Sequence, residues 1–384
     1  MKPKYELAQI VHQYGKSFLQ KHPQSKQKLK TLDAIARCRT ASLGGHSCEC
    51  KNCGEKKYFY NSCRNRHCPK CQAVNRERWI LQREAELLPV AYYHIVFTLP
   101  HELNEIAKCH PKELYNALFY AAWNTVKTLS KDPKYIGAKT GMTAVLHTWG
   151  QQLWLHPHLH CIVPGGGITK QGKWKHAKNK DKYLFSQKAM AKMYRAKFVA
   201  HLRASGVVIP QSVGKAIFSK KWIVYAKQPF SSPKTVVEYL GRYTHKIAIS
   251  NHRLTSIKDN EIQFTYKDYL KAGKQFTAKL SASEFLRRFC LHILAKGYIR
   301  MRHYGILASK NKAKELNIAK KDLGEAPWER LKIDWKTIAE EVLKVDVTKC
   351  SKCKVGVMEI SHIIYPQRGP PVFKITRNLN FLTT

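Results

Sequence analysis

The chain has 384 residues and carries 68 Lys and Arg against 26 Asp and Glu, a formal net charge of +42. So much positive charge opposes compaction unless a polyanion binds, which favours nucleic acid over a membrane surface and disfavours an enzyme of small neutral metabolites. Hydrophobic residues make up 44% of the chain, enough for two or three packed domains, and no apolar run is long enough to span a bilayer. The N-terminal MKPKYELAQI lacks the apolar core of a secretory signal, which predicts a cytoplasmic protein without membrane contacts.

Residues 1–85 are predicted to form a short amphipathic helix followed by a small zinc-binding domain. Seven of the twelve cysteines fall in this segment. In an intracellular chain such a cluster binds metal more often than it forms disulfides. Each CxxC pair puts two thiolates on one tight turn, as tetrahedral zinc requires. We expect two structural zinc ions, one held by the knuckles Cys50–Cys53 and Cys68–Cys71, and the other by Cys38, His46, Cys63 and His67.

The roles of a further cysteine, of two arginines and of a second CxxC pair are less constrained by spacing. Cys48 remains as a spare thiol. Arg64 and Arg66 lie between the ligands and are expected to contact DNA phosphates, with plain solvated charge as an equal alternative. The CxxC at Cys350 and Cys353 has no obvious second pair, so its role in metal binding is left open.

Residues 86–300 are predicted to form an α+β domain with a central antiparallel sheet flanked by helices. Residues 301–384 follow as a basic, mainly helical region. The predicted strands are 92–99, 142–149, 158–164 and 222–226, the predicted helices are 114–129, 187–202 and 235–247, and a hairpin covers 253–266 with its turn at Asp259 and Asn260.

A histidine-rich strand is the first half of a candidate active site. Side chains alternate between faces along a strand, so His158 and His160 project to the same side and can chelate one divalent ion, Mg²⁺ or Mn²⁺. The third ligand is expected to be an oxygen donor from Gln151 or Gln152, with Gln151 preferred. A half-buried polar face without metal is the alternative interpretation.

A tyrosine pair is the second half of this candidate active site. Tyr239 and Tyr243 are four residues apart, one turn of the predicted helix, and Lys246 follows as an expected DNA contact. A phenol is a poor nucleophile until it is activated, and a metal that polarises a phosphate supplies the activation. Together these features indicate DNA strand cleavage through a phosphotyrosine. Ordinary core packing of both tyrosines is the alternative.

The chain resembles the HUH (His-hydrophobic-His) nucleases, here with Leu159 as the hydrophobic residue. More narrowly, it resembles two-tyrosine insertion-sequence transposases of the IS-ninety-one type. The matching stretches, in the same order over most of the chain, are CRTASLGGH (38–46), YNSCRNRHCPKCQ (60–72), HIVFTLPHEL (94–103), HTWGQ (147–151), HPHLHCIVPGGG (156–167), YLGRYTHKIAISNHRL (239–254) and IRMRHYGILA (299–308).

The resemblance implies an N-terminal zinc-binding domain and a nicking and joining domain, with His158 and His160 as metal ligands and Tyr239 and Tyr243 as nucleophiles. It further implies a bacterial, nucleoid-associated enzyme that mobilises one DNA strand, with host replication machinery replacing it. The alternatives are a plasmid or phage rolling-circle replication initiator, which shares the nicking chemistry, and a non-catalytic zinc protein that binds DNA or RNA.

Overall fold

The computed structural model describes residues 3–178, 183–226, 235–236, 241, 246–269, 271–342, 344, 346 and 348–367. The N-terminal part begins with two helices and continues with a hairpin and a third helix. These elements are α1 (Leu7–Lys21), α2 (Lys26–Ala36), β1 (Gly45–Cys50), β2 (Lys56–Tyr60) and α3 (Ala73–Glu84).

The middle of the chain alternates strands and helices. Its elements are β3 (Tyr92–Thr98), α4 (Asn104–Cys109), α5 (Pro111–Lys131), β4 (Gly141–Trp149), β5 (Leu155–Pro164), β6 (Gly166–Ile168), β7 (Trp174–His176), α6 (Gln187–Ala204), α7 (Gln211–Ser219), β8 (Val224–Ala226), β9 (Leu254–Lys258), β10 (Glu261–Asp268), β11 (Lys274–Ser281) and α8 (Ala282–Leu291).

The C-terminal part holds two further strands and a helix. Its elements are β12 (Met301–Gly305), α9 (Lys312–Asp322), a short helical segment Trp335–Thr337 that continues as Ile338–Val342, and β13 (Met358–Ile364).

The fold is α+β, as the sequence predicts. A five-stranded antiparallel sheet, in the order β12-β4-β5-β3-β8, forms its centre. One face of this sheet is apolar, because Leu159 and its neighbours pack against α5 and α6 in the largest core cluster. The opposite face carries polar side chains and is covered near β12 by a smaller apolar cluster that includes Trp79, Val236 and Leu316.

The predicted hairpin turn is also confirmed. Asp259 and Asn260 join β9 to β10, with φ values of 48° and 59° that suit a tight hairpin turn. After β5, a Cβ added to Gly166 would lie 2.6 Å from the carbonyl oxygen of Lys175, so only glycine permits β6 to approach β7 this closely.

The predicted boundaries at residues 85 and 300 do not separate independent units. β12 pairs with β4 and completes one edge of the central sheet. β13 pairs with β1, so the C-terminal segment forms a three-stranded sheet with the N-terminal hairpin. α1 packs against α8 in a second core. The described residues between 301 and 367 therefore do not form a separate, mainly helical region, because their two strands complete sheets of the other parts of the chain. The sequence did not predict this, since pairing between distant strands leaves no signal in local composition.

Candidate active site and metal centres

Three histidines meet on the polar face of the central sheet. In the pairing of β4 with β5, His147 lies directly opposite His158, and Val145 lies opposite His160. Because opposed residues share a face of the sheet, the three imidazoles converge. One ring nitrogen from each lies within 4.8 Å of the other two, a spacing that fits a single metal ion.

Neighbouring groups orient two of these rings. The Nδ1–H of His158 donates to the carbonyl oxygen of His156 at 2.7 Å, which leaves Nε2 as the ligand atom. The Nδ1 of His160 is hydrogen-bonded to the Nε2 of His94 at 2.9 Å, and His94 is buried. Such outer partners fix the tautomer and the ring plane of metal-binding histidines.

The environment keeps the imidazoles of His158 and His160 neutral. Desolvation lowers the pKa of His158 to about 3, with the charges of His156 and Lys246 adding to the effect. Desolvation, with the charges of His147 and other neighbours, also lowers the pKa of His160 well below its usual value. Since only a neutral imidazole binds a metal, these two histidines can bind a metal ion at neutral pH. The donor chemistry therefore fits a divalent ion.

His147 is the third histidine of this cluster, and the sequence analysis did not predict it. The expected ligand, Gln151, lies in the turn after β4, where its amide nitrogen donates a 3.4 Å hydrogen bond to the hydroxyl of Tyr269. Its backbone carbonyl accepts from Arg253. His147 begins the stretch HTWGQ, but only the register of β4 against β5 reveals that it faces His158.

The expected nucleophiles Tyr239 and Tyr243 lie outside the described residues. In the predicted helix 235–247, called the tyrosine segment below, Thr235, Val236 and Gly241 are helical, and Gly241 lies between the two tyrosines in the sequence. The described residues 246 and 247 are not helical, so the predicted helix extends too far at its C-terminal end. Gly241 is buried, and a Cβ placed on it would lie 2.3 Å from Cδ1 of Ile80 in α3. Gly241 therefore packs directly on α3 in the N-terminal part of the chain.

Lys246 follows the tyrosine segment. Desolvation lowers its pKa, and so do the positive charges of Arg253 and Lys267. Its own charge depresses the pKa of both His158 and His160, so it acts electrostatically on the histidine cluster. This position is compatible with the predicted contact to a phosphate.

The first zinc cluster contains four cysteines of the N-terminal part. The Sγ atoms of Cys38 and Cys71 are 3.3 Å apart, and those of Cys63 and Cys71 are 3.6 Å apart. Tetrahedral zinc with Zn–S bonds of about 2.3 Å holds its sulfurs about 3.8 Å apart, so the group is close to the size that zinc requires. Hydrogen bonds from Cys38 and the other thiols lower the pKa of Cys71, which favours the thiolate. Cys68 completes the set.

The second cluster joins the two ends of the chain. The Sγ atoms of Cys50 and Cys353 are 3.7 Å apart, as are those of Cys53 and Cys350. Backbone amides of Gly356 and Val355 lower the pKa of Cys353 to about 6, as is usual for a zinc knuckle. The second CxxC thus finds its partner pair about 300 residues away.

The expected division of ligands between the two ions is wrong. The knuckle pairs Cys50–Cys53 and Cys68–Cys71 belong to different clusters. His46 stacks on Phe59 at 5.4 Å, and His67 is buried near Arg66, Arg300 and His292, so neither histidine joins a cluster. Cys48 is buried and is also outside both clusters.

The two arginines expected to contact DNA have different environments. The guanidinium of Arg66 donates to the backbone carbonyls of Tyr298 and Ala295, so it connects the zinc-binding part to the segment after α8. These two contacts give Arg66 a structural role that the sequence analysis did not predict. Arg64 is exposed, with a φ of 52°, and remains a candidate for DNA binding.

Comparison with known proteins identifies the family. The model of the family described as "Transposase zinc-binding domain" matches residues 10–99, and that of the "Putative transposase" family matches residues 141–315. The chain is 37% identical over 388 residues to the putative transposase y4qJ of Sinorhizobium fredii, an alignment that covers 95% of this chain and 97% of the relative. The chain belongs to the IS91-type transposases. It is also 28% identical to the transposase for insertion sequence element IS801 of Pseudomonas savastanoi pv. phaseolicola, over 85% of this chain and 82% of the relative. No solved structure matches the chain.

Family membership makes this transposase a DNA-processing and DNA-binding enzyme that carries structural zinc. The zinc-binding family model includes Cys38 to Cys71 but ends long before Cys350 and Cys353. The second family model includes all three histidines of the central sheet. None of the helices in the described part of this transposase has the length and apolar character needed to cross a bilayer.

Proposed function

We propose that this transposase nicks and rejoins single-stranded DNA at the ends of its element through a 5′-phosphotyrosine. The observation that carries the proposal is the convergence of His147, His158 and His160 on one face of the central sheet, in a chain that belongs to a transposase family. The tyrosine segment begins beside the same face, since Val236 packs with Ile162 of β5 in one apolar cluster.

The three imidazoles are proposed to hold one Mg²⁺ or Mn²⁺. A bound ion of this kind would polarise the scissile phosphate and withdraw charge from it. Magnesium prefers oxygen ligands, whereas imidazole nitrogen suits first-row transition metals. With His147 in place of a glutamine oxygen, the protein ligands are all nitrogen, so Mn²⁺ is expected to act at lower concentrations than Mg²⁺.

The strand-breaking step is assigned to Tyr239 or Tyr243. The phenolic oxygen attacks phosphorus in line, loses its proton, and forms a new P–O bond as the bond to the 3′ oxygen breaks. The products are a 5′-phosphotyrosine and a free 3′-OH. Attack by a 3′-OH on the phosphotyrosine reverses these bond changes, so joining needs no ATP. Lys246 supplies positive charge beside the site.

Two tyrosines allow one strand to be held while a second is cleaved. The resemblance to rolling-circle transposases suggests that the displaced strand is then replaced by host replication machinery. The net charge of +42 gives affinity for the DNA backbone without reading its sequence.

The test is covalent trapping. Purified protein is incubated with labelled single-stranded element-end DNA and Mn²⁺ or Mg²⁺, and adducts are counted on a denaturing gel. An adduct is expected with the wild type and is expected to vanish in the Tyr239→Phe/Tyr243→Phe variant. If the wild type forms no adduct, or if the adduct survives the double substitution, the proposed mechanism is wrong.

A matched pair of variants tests the metal ligands. His147→Ala is expected to lower the adduct yield by about 100-fold or more, because one of three protein ligands is lost. Gln151→Ala is expected to retain most of the yield, since its side chain bonds to Tyr269. If Gln151→Ala lowers the adduct yield more than His147→Ala does, the third ligand is Gln151 and not His147.

A further inference from the structure

A basic groove lies at the edge of the central sheet. It is bounded by α6 on one side and by the segment that leads from α7 into β8 on the other, and it encloses about 960 Å³. No carboxylate is found among the described residues that line it. Its cationic side chains are Lys188, Lys192, Arg195, Lys220 and Lys221.

The groove opens at the end of the sheet where the histidines lie. The backbone amide and the hydroxyl of Thr98 both donate to the carbonyl oxygen of Ile223, which lines the groove. Thr98 in turn lies directly opposite His158 in the pairing of β3 with β5. Neighbouring strands are about 4.8 Å apart, so the groove edge lies about 10 Å from the metal site.

Exposed apolar side chains accompany the charges. Phe218 and Ile223 line the groove and are 46% and 66% exposed. The guanidinium of Arg195 lies 5.1 Å from the ring centre of Phe218 and donates to the backbone carbonyl oxygen of that residue, which holds the guanidinium beside the ring. A cationic trough with an exposed aromatic ring is the combination that binds unpaired nucleotides, since bases stack on the ring while lysines follow the phosphates.

A row of residues runs from the histidine cluster to the edge strand beside the groove. Tyr225 of β8 lies opposite Val96, and Val96 lies opposite His160, so all three share a face of the sheet. Tyr225 is 50% exposed. A strand that leaves the histidine cluster along this row reaches β8, the edge strand of the central sheet as the described residues form it, and turns over that edge to enter the groove, because α6 packs on the opposite face.

We propose that this groove holds the unpaired DNA strand that flanks the scissile phosphate. The inference rests on the proposed function for the identity of the reacting site, whereas binding of single-stranded DNA to the groove is independent of the cleavage chemistry. The groove thus sets the path of the substrate strand across the edge of the sheet, and its lysines provide a large part of the affinity for single strands.

The binding test compares two triple variants. The groove variant is Lys188→Ala/Lys192→Ala/Lys221→Ala, which spares Lys220 because that residue pairs with Glu102. The control is Lys127→Ala/Lys131→Ala/Lys134→Ala, which removes three exposed lysines around the C-terminal end of α5 that do not line the groove. Both lose three charges, so a difference between them reports location. The measurement is fluorescence anisotropy of a labelled oligo-dT of about 20 nucleotides over a range of salt concentrations.

The groove variant is expected to bind oligo-dT about 10- to 100-fold more weakly than the wild type near 0.15 M salt, and the slope of log K against log salt should fall by about 2. The control variant should lose less than about 3-fold. Equal losses in the two variants would overturn the proposal. A wild type that binds oligo-dT but forms no covalent adduct would refute only the proposed cleavage chemistry.

The path to the active site is tested with the wild type and element-end substrates of decreasing flank length. Where the adduct forms, the groove variant should give a lower yield than the control on long substrates. That difference should disappear when the flank on one side is removed. A difference that persists without either flank would show that the groove does not hold the substrate strand.

Discussion

Replacement of Gly241 by alanine tests whether the tyrosine segment is positioned by contact with α3. The added Cβ would lie 2.3 Å from Cδ1 and 2.5 Å from Cγ1 of Ile80, whereas carbon atoms in contact normally stay about 3.5–4.0 Å apart. One side must therefore move by about 1 to 1.5 Å. Overpacking of this kind costs about 1–3 kcal/mol.

Helix propensity opposes this cost. Alanine stabilises a helix interior by about 1 kcal/mol relative to glycine, and Gly241 is helical. Gly241→Ala is therefore expected to lower the free energy of unfolding by up to about 2 kcal/mol when Ile80 is present. In an Ile80→Ala background the clash disappears, and the same substitution should raise the free energy by about 0.5–1 kcal/mol.

Urea unfolding of the four proteins in this cycle gives the free energies, and trapping of the covalent adduct gives the activity. We expect Gly241→Ala to reduce the adduct yield and the second substitution to restore part of it, because Tyr239 and Tyr243 flank residue 241 in the sequence. If Gly241→Ala changes the free energy of unfolding in the same direction in the wild type and in the Ile80→Ala background, the contact with Ile80 does not decide the outcome and the reasoning is refuted.

Two further predictions follow from the clusters and from the buried histidines. Cys353→Ser should lower the zinc content from about two ions to about one per chain and expose β13 to proteolysis, whereas Cys48→Ser should leave the zinc content and the protection of β13 unchanged. Metal analysis combined with limited proteolysis measures both effects. Retention of two ions in Cys353→Ser would refute the cluster that joins the two ends of the chain. His292 is buried, and desolvation lowers its pKa from 6.5 to about 4, so the stability it contributes is full above pH 6.5 and is lost as the pH falls towards 4. Urea unfolding between these pH values should therefore show a slope that is smaller by up to about 1.4 kcal/mol per pH unit in His292→Gln than in the wild type, and equal slopes would contradict the assignment.

Much of the local architecture was predictable. The strand over 142–149 and the helix over 187–202 follow from apolar periodicity, and the hairpin turn follows from Asp259 and Asn260. The shared face of His158 and His160 also follows from alternation along one strand. These features depend on residues close together in the chain, whose geometry is fixed by the backbone.

The remaining features depend on contacts between distant segments. His147 became a candidate ligand only through the register of β4 against β5, and Arg66 proved to bond to carbonyls more than 200 residues away. Neither contact leaves a periodic signal in the sequence.

By itself, the sequence indicated a polyanionic partner, cysteines that bind zinc, and the resemblance to a transposase family. The tertiary structure alone decided which cysteines share an ion. Spacing favours ligands that are close in sequence, but the pairing of β13 with β1 brings Cys350 and Cys353 to Cys50 and Cys53. The physical reason is that a folded sheet offsets the entropy of closing a loop of about 300 residues, and that entropy grows only slowly with loop length.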